Sequence, residues 1–198
     1  MEPAPQVGRN GNERARIEYD PIYHCYPPGL VRLGPPSDTV TGAGVRSLQI
    51  IQSPGRVTLV YGQRNSVRYI YTDEREHPKP LELTWNGHSI GKWDGDTFVV
   101  DTIGLRDESW LDTAGHEHST ELHVVERFRR IDAANLEIER TLADPVALAK
   151  PYTSRVVLRL NPNYTRNEYT DNDCMQYMIR KPAFGKGEGG LLGISDHP

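Results

Sequence analysis

Short runs of β-forming residues, separated by turn residues, constrain the fold of this chain more than any other feature of its sequence. Between positions 48 and 160 the runs include "LQIIQ", "VTLVYGQ", "VRYIYTD", "DTFVVDTIG", "HVVERFRR", "LEIERTL" and "YTSRVVLRL". β-branched and aromatic residues dominate the runs, and Pro, Gly, Asn and Asp stand between them, as is typical of β-hairpins. Apolar spacing of helical length is scarce, so the sequence predicts an all-β fold.

The number of these runs predicts how the sheet is organised. Eight or nine strands follow one another with short connections, and closing such a sheet removes its unpaired edges. We expect a single antiparallel up-and-down β-barrel of about eight strands, with a β-sandwich as the alternative. The predicted divisions are an irregular N-terminal arm at 1–46, a barrel domain at 47–180 and a Gly-rich tail at 181–198.

Charge and motif content exclude several classes of partner. The net charge is −4, and no block of basic residues indicates nucleic-acid binding. No apolar run has the length of a membrane span. The sequence contains no phosphate loop, dinucleotide fingerprint or nucleophile elbow, so we expect no cofactor. An eight-stranded barrel can hold one small apolar or amphipathic organic molecule. Homo-oligomer formation stays open.

The first hairpin brings a histidine and an aspartate together. If Asp94-Gly95 is a two-residue loop, Trp93 pairs with Asp96 and, counting outward, His88 faces Asp101. Residues opposite each other have β-carbons about 5 Å apart. A carboxylate beside an imidazole raises its basicity and fixes its tautomer, as a general base requires. The alternative is a polar pair that faces water. The alternation of residues does not decide between the two, because both faces of this hairpin carry apolar residues.

A second hairpin turns at "IDAAN" and places an ion pair on an inward face. If Arg130 pairs with Leu136, then Glu126 lies opposite Arg140. The other pairs on that face are apolar: Phe128 with Ile138 and Val124 with Leu142. An inward carboxylate beside a guanidinium is more often a structural ion pair than a catalyst. As a functional alternative, the pair orients a polar group of a ligand.

The stretch "HEHSTELHVVER" holds three histidines that do not automatically converge. His123 shares its strand face with charged residues and is expected to point to solvent. His116 and His118 precede the strand and lie at the barrel rim. A transition-metal site needs three or four converging ligands. We therefore expect no metal; if one binds, His88, His116 and His118 are its ligands.

Other aromatic and histidine side chains stand near the predicted site. Trp93 flanks the His88 strand, Tyr71 carries a hydroxyl that can donate a proton, and Trp110 lies on a polar loop. Trp93 and Tyr71 are more typical of barrel packing than of ligand contact, whereas the loop of Trp110 is long enough to form a lid or rim. Together with Glu126 and Arg140 they are the candidate substrate-binding residues. His77, before Pro78, is interpreted as a turn residue.

Several longer stretches resemble a widespread family of uncharacterised secreted bacterial proteins. They are "YHCYPPGLVR", "QIIQSPGRVTLVYGQRNSVRYIYTD", "HP", "GHSIGKWDGDTFVVDTIG", "WLDTAGHEHSTELHVVERFRR" and "DPVALAKPYT", and they lie between positions 19 and 174. The resemblance implies no activity. Its motifs carry over onto His88, Trp93, Asp101, His118, Glu126 and Arg127. The expected barrel is similar to lipocalin-like and allene-oxide-cyclase-like folds in architecture only.

The two cysteines bear on the cellular compartment of the protein, because disulfides form in oxidising compartments. Cys25 and Cys174 either form a disulfide between the arm and the C-terminal segment or are two unrelated thiols. The resemblance implies the pair, and also export of the precursor, which favours a secreted or periplasmic location. The opening "MEPAPQVGRNGNERAR" is polar throughout and shows no leader, so a cytoplasmic protein is the alternative.

Two functions are compatible with these residues. The first is a cofactor-independent acid–base enzyme of the lyase, isomerase or cyclase type, with His88, Asp101 and His118 acting on a small organic substrate in the barrel cavity. The second is a lipocalin-like binding protein without turnover. A metal-dependent enzyme that uses the rim histidines is a further alternative.

Overall fold

The protein is built on one sheet of eight strands, which confirms the predicted all-β, barrel-like fold. The computed structural model describes residues 20–33, 48–62, 66–112 and 114–162. Within these ranges the strands are β1 (Leu48–Ser53), β2 (Arg56–Tyr61), β3 (Val67–Tyr71), β4 (His88–Asp94), β5 (Thr97–Ile103), β6 (His123–Arg130), β7 (Asn135–Ala143) and β8 (Tyr152–Arg159). Each strand pairs with the next one along the chain, and the sheet curls into a half-barrel.

One pair of strands departs from the up-and-down prediction. β3 and β4 are parallel and are paired only through Ile70 with Ser89 and Tyr71 with Ile90. The cause is the connection at residues 72–87, which crosses back along the sheet instead of turning as a hairpin, because parallel strands require such a crossover. The sheet is therefore mixed, and the other neighbouring pairs are antiparallel.

The second predicted hairpin has the expected register. Arg130 pairs with Leu136, and Glu126 pairs with Arg140. The inner face that this register defines is buried, as expected from its apolar residues. The buried members of the main core on the sheet are Val57, Leu59, Tyr61, Ile70, Phe98, Val100, Phe128 and Ile138.

Part of the N-terminal arm packs against this sheet. A 3₁₀ helix (Pro21–His24) and the short helix α1 (Gly29–Arg32) cover one end of it, and Leu30 and Leu33 are fully buried. Arg140 donates hydrogen bonds to the backbone carbonyls of Val31 and Leu33, at 3.0 and 3.4 Å. Among the described residues, no helix is long and apolar enough to cross a membrane.

Several predictions fall on parts of the chain that the structure does not describe. Cys25 lies directly after the 3₁₀ helix, but its predicted partner Cys174 lies outside the described residues, so the disulfide stays a prediction. The same is true of the domain limits at 46, 180 and 181.

Gly91 provides a test of the core around β4. A β-carbon at this position would lie 2.4 Å from the Phe98 ring and 2.8 Å from Ile70. We expect Gly91→Ala to lower the free energy of unfolding by about 1–3 kcal/mol, because the core must shift to accept the methyl group. Urea denaturation measures the change. Gly95→Asn is the control: it lies in open space, and asparagine tolerates positive φ. Equal stability of the two variants would contradict the expectation.

Candidate functional site

The β4–β5 hairpin turns one residue later than predicted. The turn residues are Gly95 and Asp96, because Asp94 pairs with Thr97. His88 is therefore opposite Ile103 rather than Asp101, and the predicted direct pairing is wrong. The register differs by two residues, and because side chains alternate with a period of two, His88 and Asp101 still share one face of the sheet.

That face points outward, not into the barrel. The neighbouring residues Ser89, Val100 and Thr102 are the buried ones and face the core. His88 is half-buried, and the Asp101 side chain is 41% exposed. The prediction that His88 and Asp101 lie in the barrel cavity is therefore wrong, because their side chains are on the opposite face of the sheet from these buried residues.

On the outer face, three histidines and one carboxylate form a continuous chain of close contacts. Nδ1 of His88 lies 2.8 Å from Nδ1 of His77, and Nε2 of His77 lies 3.0 Å from Oδ1 of Asp101. Nε2 of His123 lies 2.9 Å from Oδ2 of Asp101. We call these four residues the histidine relay. The sequence predicted direct contact between His88 and Asp101. In the structure, His77 lies between them and contacts both.

The relay fixes the tautomers of its histidines when Asp101 is ionised. The carboxylate can only accept, so Nε2–H of His77 donates to Oδ1 of Asp101. Neutral His77 then presents an unprotonated Nδ1, which accepts from Nδ1–H of His88. This leaves Nε2 of His88 unprotonated and able to accept a proton. The arrangement is that of a histidine base oriented by a second group, which in turn is oriented by a carboxylate.

The surroundings of His88 favour its neutral form. Burial lowers the pKa of His88 below the ordinary value of 6.5, and positive charge on His77 and Arg75 lowers this pKa further. Tyr71 stacks on the His88 ring at 5.3 Å between ring centres, and Arg75 lies over the same tyrosine ring at 3.8 Å. Tyr71 is thus on the outer face beside the relay, not in the core as its strand position indicated.

A groove opens next to His88. It has a volume of about 460 Å³ and lies between β3, the crossover at 72–87 and the start of β4. His88 forms part of its wall and connects it to the histidine relay. The apolar residues of the wall are Val67, Tyr69, Tyr71, Pro78, Leu81 and Trp85.

The inner face carries a second network, around Glu126, and its members Arg68 and Ser89 also border the groove. The predicted Glu126–Arg140 ion pair is present, with Nη2 of Arg140 2.8 Å from the carboxylate, and both side chains are buried. Arg68, which the sequence analysis did not single out, is a second ion-pair partner of Glu126. Arg68 also donates to Ser89 at 3.0 Å and to Thr102 at 2.7 Å. Because the charges of Glu126, Arg68 and Arg140 are already paired with one another, the network is interpreted as structural.

The remaining predicted histidines lie in other local networks. Nε2 of His118 is 3.0 Å from the Ser109 hydroxyl, and its Nδ1 is 3.0 Å from the Ser119 carbonyl oxygen. His118 is buried, at 5% exposure. His116 pairs with the Asp112 carboxylate at 2.6 Å. The contacts of these two histidines are with other groups than the relay.

The other predicted side chains are also distributed over the fold. Trp93 is 60% exposed and packs its ring against Phe98, whereas Trp110 is buried. Arg127 forms a surface ion pair with Asp94 at 3.1 Å. None of these three belongs to the described lining of the groove, whereas Tyr71 does.

The relay is linear rather than convergent. The two nitrogens of His77 point in opposite directions, one toward His88 and one toward Asp101, so the four side chains do not surround one point. Within the described ranges, no group of three or more His, Cys, Asp or Glu side chains is arranged to hold a metal ion.

The chain was also compared with known proteins. The search finds no match among protein-family models, curated proteins or solved structures.

Proposed function

We propose that the protein is a cofactor-independent acid–base enzyme of the lyase, isomerase or cyclase type that acts on a small organic substrate in the groove. The observation that carries the proposal is the chain from Asp101 through His77 to His88, which ends in the wall of the groove. A histidine at a groove, supported by a carboxylate through a second histidine, is an arrangement that general acid–base catalysis can use.

The proposed proton transfer begins at Nε2 of His88. This nitrogen takes a proton from a carbon or hydroxyl of the substrate, and the electron pair stays on the substrate. The resulting imidazolium is stabilised because its Nδ1–H bonds to His77, whose own Nε2–H bonds to the Asp101 carboxylate. His88 then returns the proton to another substrate atom or to a leaving group, so that the base is regenerated without a cofactor.

A non-catalytic binding protein is the second candidate. The aromatic and aliphatic wall of the groove supports it, because small-molecule sites are mostly apolar with few polar groups. Turnover separates the two: a binding protein holds a ligand without converting it. Incubation with hydroxylated, epoxidised and unsaturated compounds, followed by mass spectrometry and NMR of the products, tests for conversion. Unchanged compounds across a panel that includes ligands shown to bind would favour the binding protein.

The pH dependence of kcat/KM tests the assignment of His88 as the base. A base acts in its unprotonated form, and the pKa of His88 lies below its ordinary value of 6.5. We therefore expect kcat/KM to be constant near neutral pH and to fall on acidification, with a midpoint below 6.5. A substrate that does not itself titrate is required as a control. An acidic limb with a midpoint well above this value would contradict the assignment.

The resemblance described above supports a secreted or periplasmic location. Under this proposal the small-molecule substrate is the partner, and the Cys25–Cys174 disulfide forms after export. Comparing intact mass with and without reduction before alkylation tests the disulfide.

A further inference from the structure

The Asp101 carboxylate contacts two histidines that come from different elements of the fold. Nε2 of His77, on the crossover at 72–87, is 3.0 Å from Oδ1, and Nε2 of His123, on β6, is 2.9 Å from Oδ2. An ionised carboxylate can only accept, so both nitrogens carry a proton. Each oxygen of Asp101 therefore has its own N–H donor. The proposed proton transfer uses the His77 side of this arrangement and assigns no role to His123.

The sheet places His123 beside Asp101 on the outer face. Asp101 pairs with Val125 across β5 and β6, which makes His123 its diagonal neighbour on the same face. β6 lies between β5 and β7, and His123 itself pairs with Ala143 of β7. The imidazole of His123 thus extends from a strand inside the sheet, whereas that of His77 extends from a connection. Of the two donors, His123 has the more rigid support.

Asp101 needs such support because water reaches its carboxylate. The side chain of Asp101 is 41% exposed, against 16% for His77. The terminal torsion of an aspartate is broad, so an exposed carboxylate turns easily. Without His123, water would replace the lost hydrogen bond but would not fix its direction. Oδ1 of Asp101 would then face His77 for only part of the time.

We propose that His123 is a positioning residue, whose Nε2–H holds the Asp101 carboxylate so that Oδ1 stays directed at His77. This orders the rest of the relay: Nε2–H of His77 donates to Asp101, and Nδ1 of His77 accepts from His88. Nε2 of His88 then remains the acceptor for a substrate proton. His123 is not part of the described groove wall and acts through Asp101. The inference rests on the proposed function in naming proton transfer as what this order serves.

The tautomers of the relay histidines test this proposal without a substrate. Long-range ¹H–¹⁵N spectra distinguish the N–H nitrogen of each neutral imidazole from the unprotonated one. At a pH where both rings are neutral, we expect mainly the Nε2–H tautomer for His77 and mainly the Nδ1–H tautomer for His88. His123→Leu removes the donor to Asp101, so both residues should show mixed tautomers. His123→Gln places an amide N–H near the position of Nε2 and should largely restore the order.

Turnover of a substrate from the product screen gives the second readout. For His123→Leu we expect kcat to fall about tenfold, as for the loss of one hydrogen bond to a charged group, while KM stays close to the original value. His116→Leu is the matched control. His116 also pairs with a carboxylate, that of Asp112 at 2.6 Å, but outside the relay. This variant should leave kcat and the tautomers of the relay unchanged.

Unchanged tautomers of His77 and His88 in a folded His123→Leu variant would overturn the proposal. So would a normal kcat in this variant when His88→Ala is inactive. If His123→Leu does not fold, His123→Asn replaces it, because its shorter side chain keeps the amide away from the position of Nε2. Failure of the proposed function would look different: tautomers that depend on His123, together with intact turnover in His88→Ala, would leave the positioning of Asp101 correct and the acid–base assignment wrong.

Discussion

His88→Ala is expected to lower kcat by about 10² to 10⁴, the usual contribution of a general acid–base group. The variant loses the relay residue that forms part of the described groove wall, while His77 and Asp101 keep their hydrogen bond. Because His88 is half-buried on the outer face, the fold should be preserved. Steady-state kinetics on a substrate from the product screen gives the loss, and circular dichroism checks the fold.

A matched histidine substitution serves as the control for this experiment. His24 is exposed on the 3₁₀ helix of the arm, and His24→Ala should keep kcat within about twofold of the unaltered protein, since surface changes away from a site have small effects. Near-normal turnover in a folded His88→Ala variant would show that His88 is not the base.

Asp101→Asn tests the role of the carboxylate in the histidine relay. An amide removes the negative charge that stabilises the His88–His77 imidazolium, and it can present a donor to His77 where the carboxylate accepts. We expect a loss of kcat that approaches that of His88→Ala. A KM that stays close to the original value would assign the effect to proton transfer rather than to ligand binding.

Glu126→Gln is expected to lower the free energy of unfolding by about 3–5 kcal/mol, the cost of breaking a buried ion pair. The glutamine leaves both Arg68 and Arg140 buried without their shared negative charge. Glu139→Gln is the control, because its partner Arg155 is 61% exposed and such surface pairs contribute about 0–1 kcal/mol. Urea denaturation of both variants measures the difference, and equal losses would contradict the structural role of Glu126.

The same substitution changes how stability depends on pH. Burial acts to raise the pKa of Glu126, but the charges and hydrogen bonds of Arg68 and Arg140 hold it below the ordinary value of 4.5. The stabilisation is therefore complete above 4.5 and is lost as the pH falls through the lower folded-state pKa. The difference between the unaltered protein and Glu126→Gln should shrink on acidification. A difference that grows instead would mean that Glu126 is protonated in the folded protein.

Local sequence patterns determined much of the fold. The β6–β7 register followed from the position of one turn together with the alternation of apolar residues, because a shift of one residue would separate Val124, Phe128, Ile138 and Leu142 onto different faces. The Glu126–Arg140 pair followed from that register. The β4–β5 hairpin was harder, because apolar residues occur on both of its faces and a shift of two residues preserves the pattern.

The remainder of the candidate site depended on contacts between distant parts of the chain. His77 reaches the relay only because the crossover at 72–87 returns over the sheet, and a histidine before a proline gives no local sign of this. Arg68 joins Glu126 from a strand far away in sequence. Hydrophobic alternation specifies which face of a strand is buried, since that depends on neighbouring residues. It does not specify which polar groups meet when they come from strands or loops that are not joined by one hairpin, because those contacts are set by the path of the whole chain; the tertiary structure alone decided them.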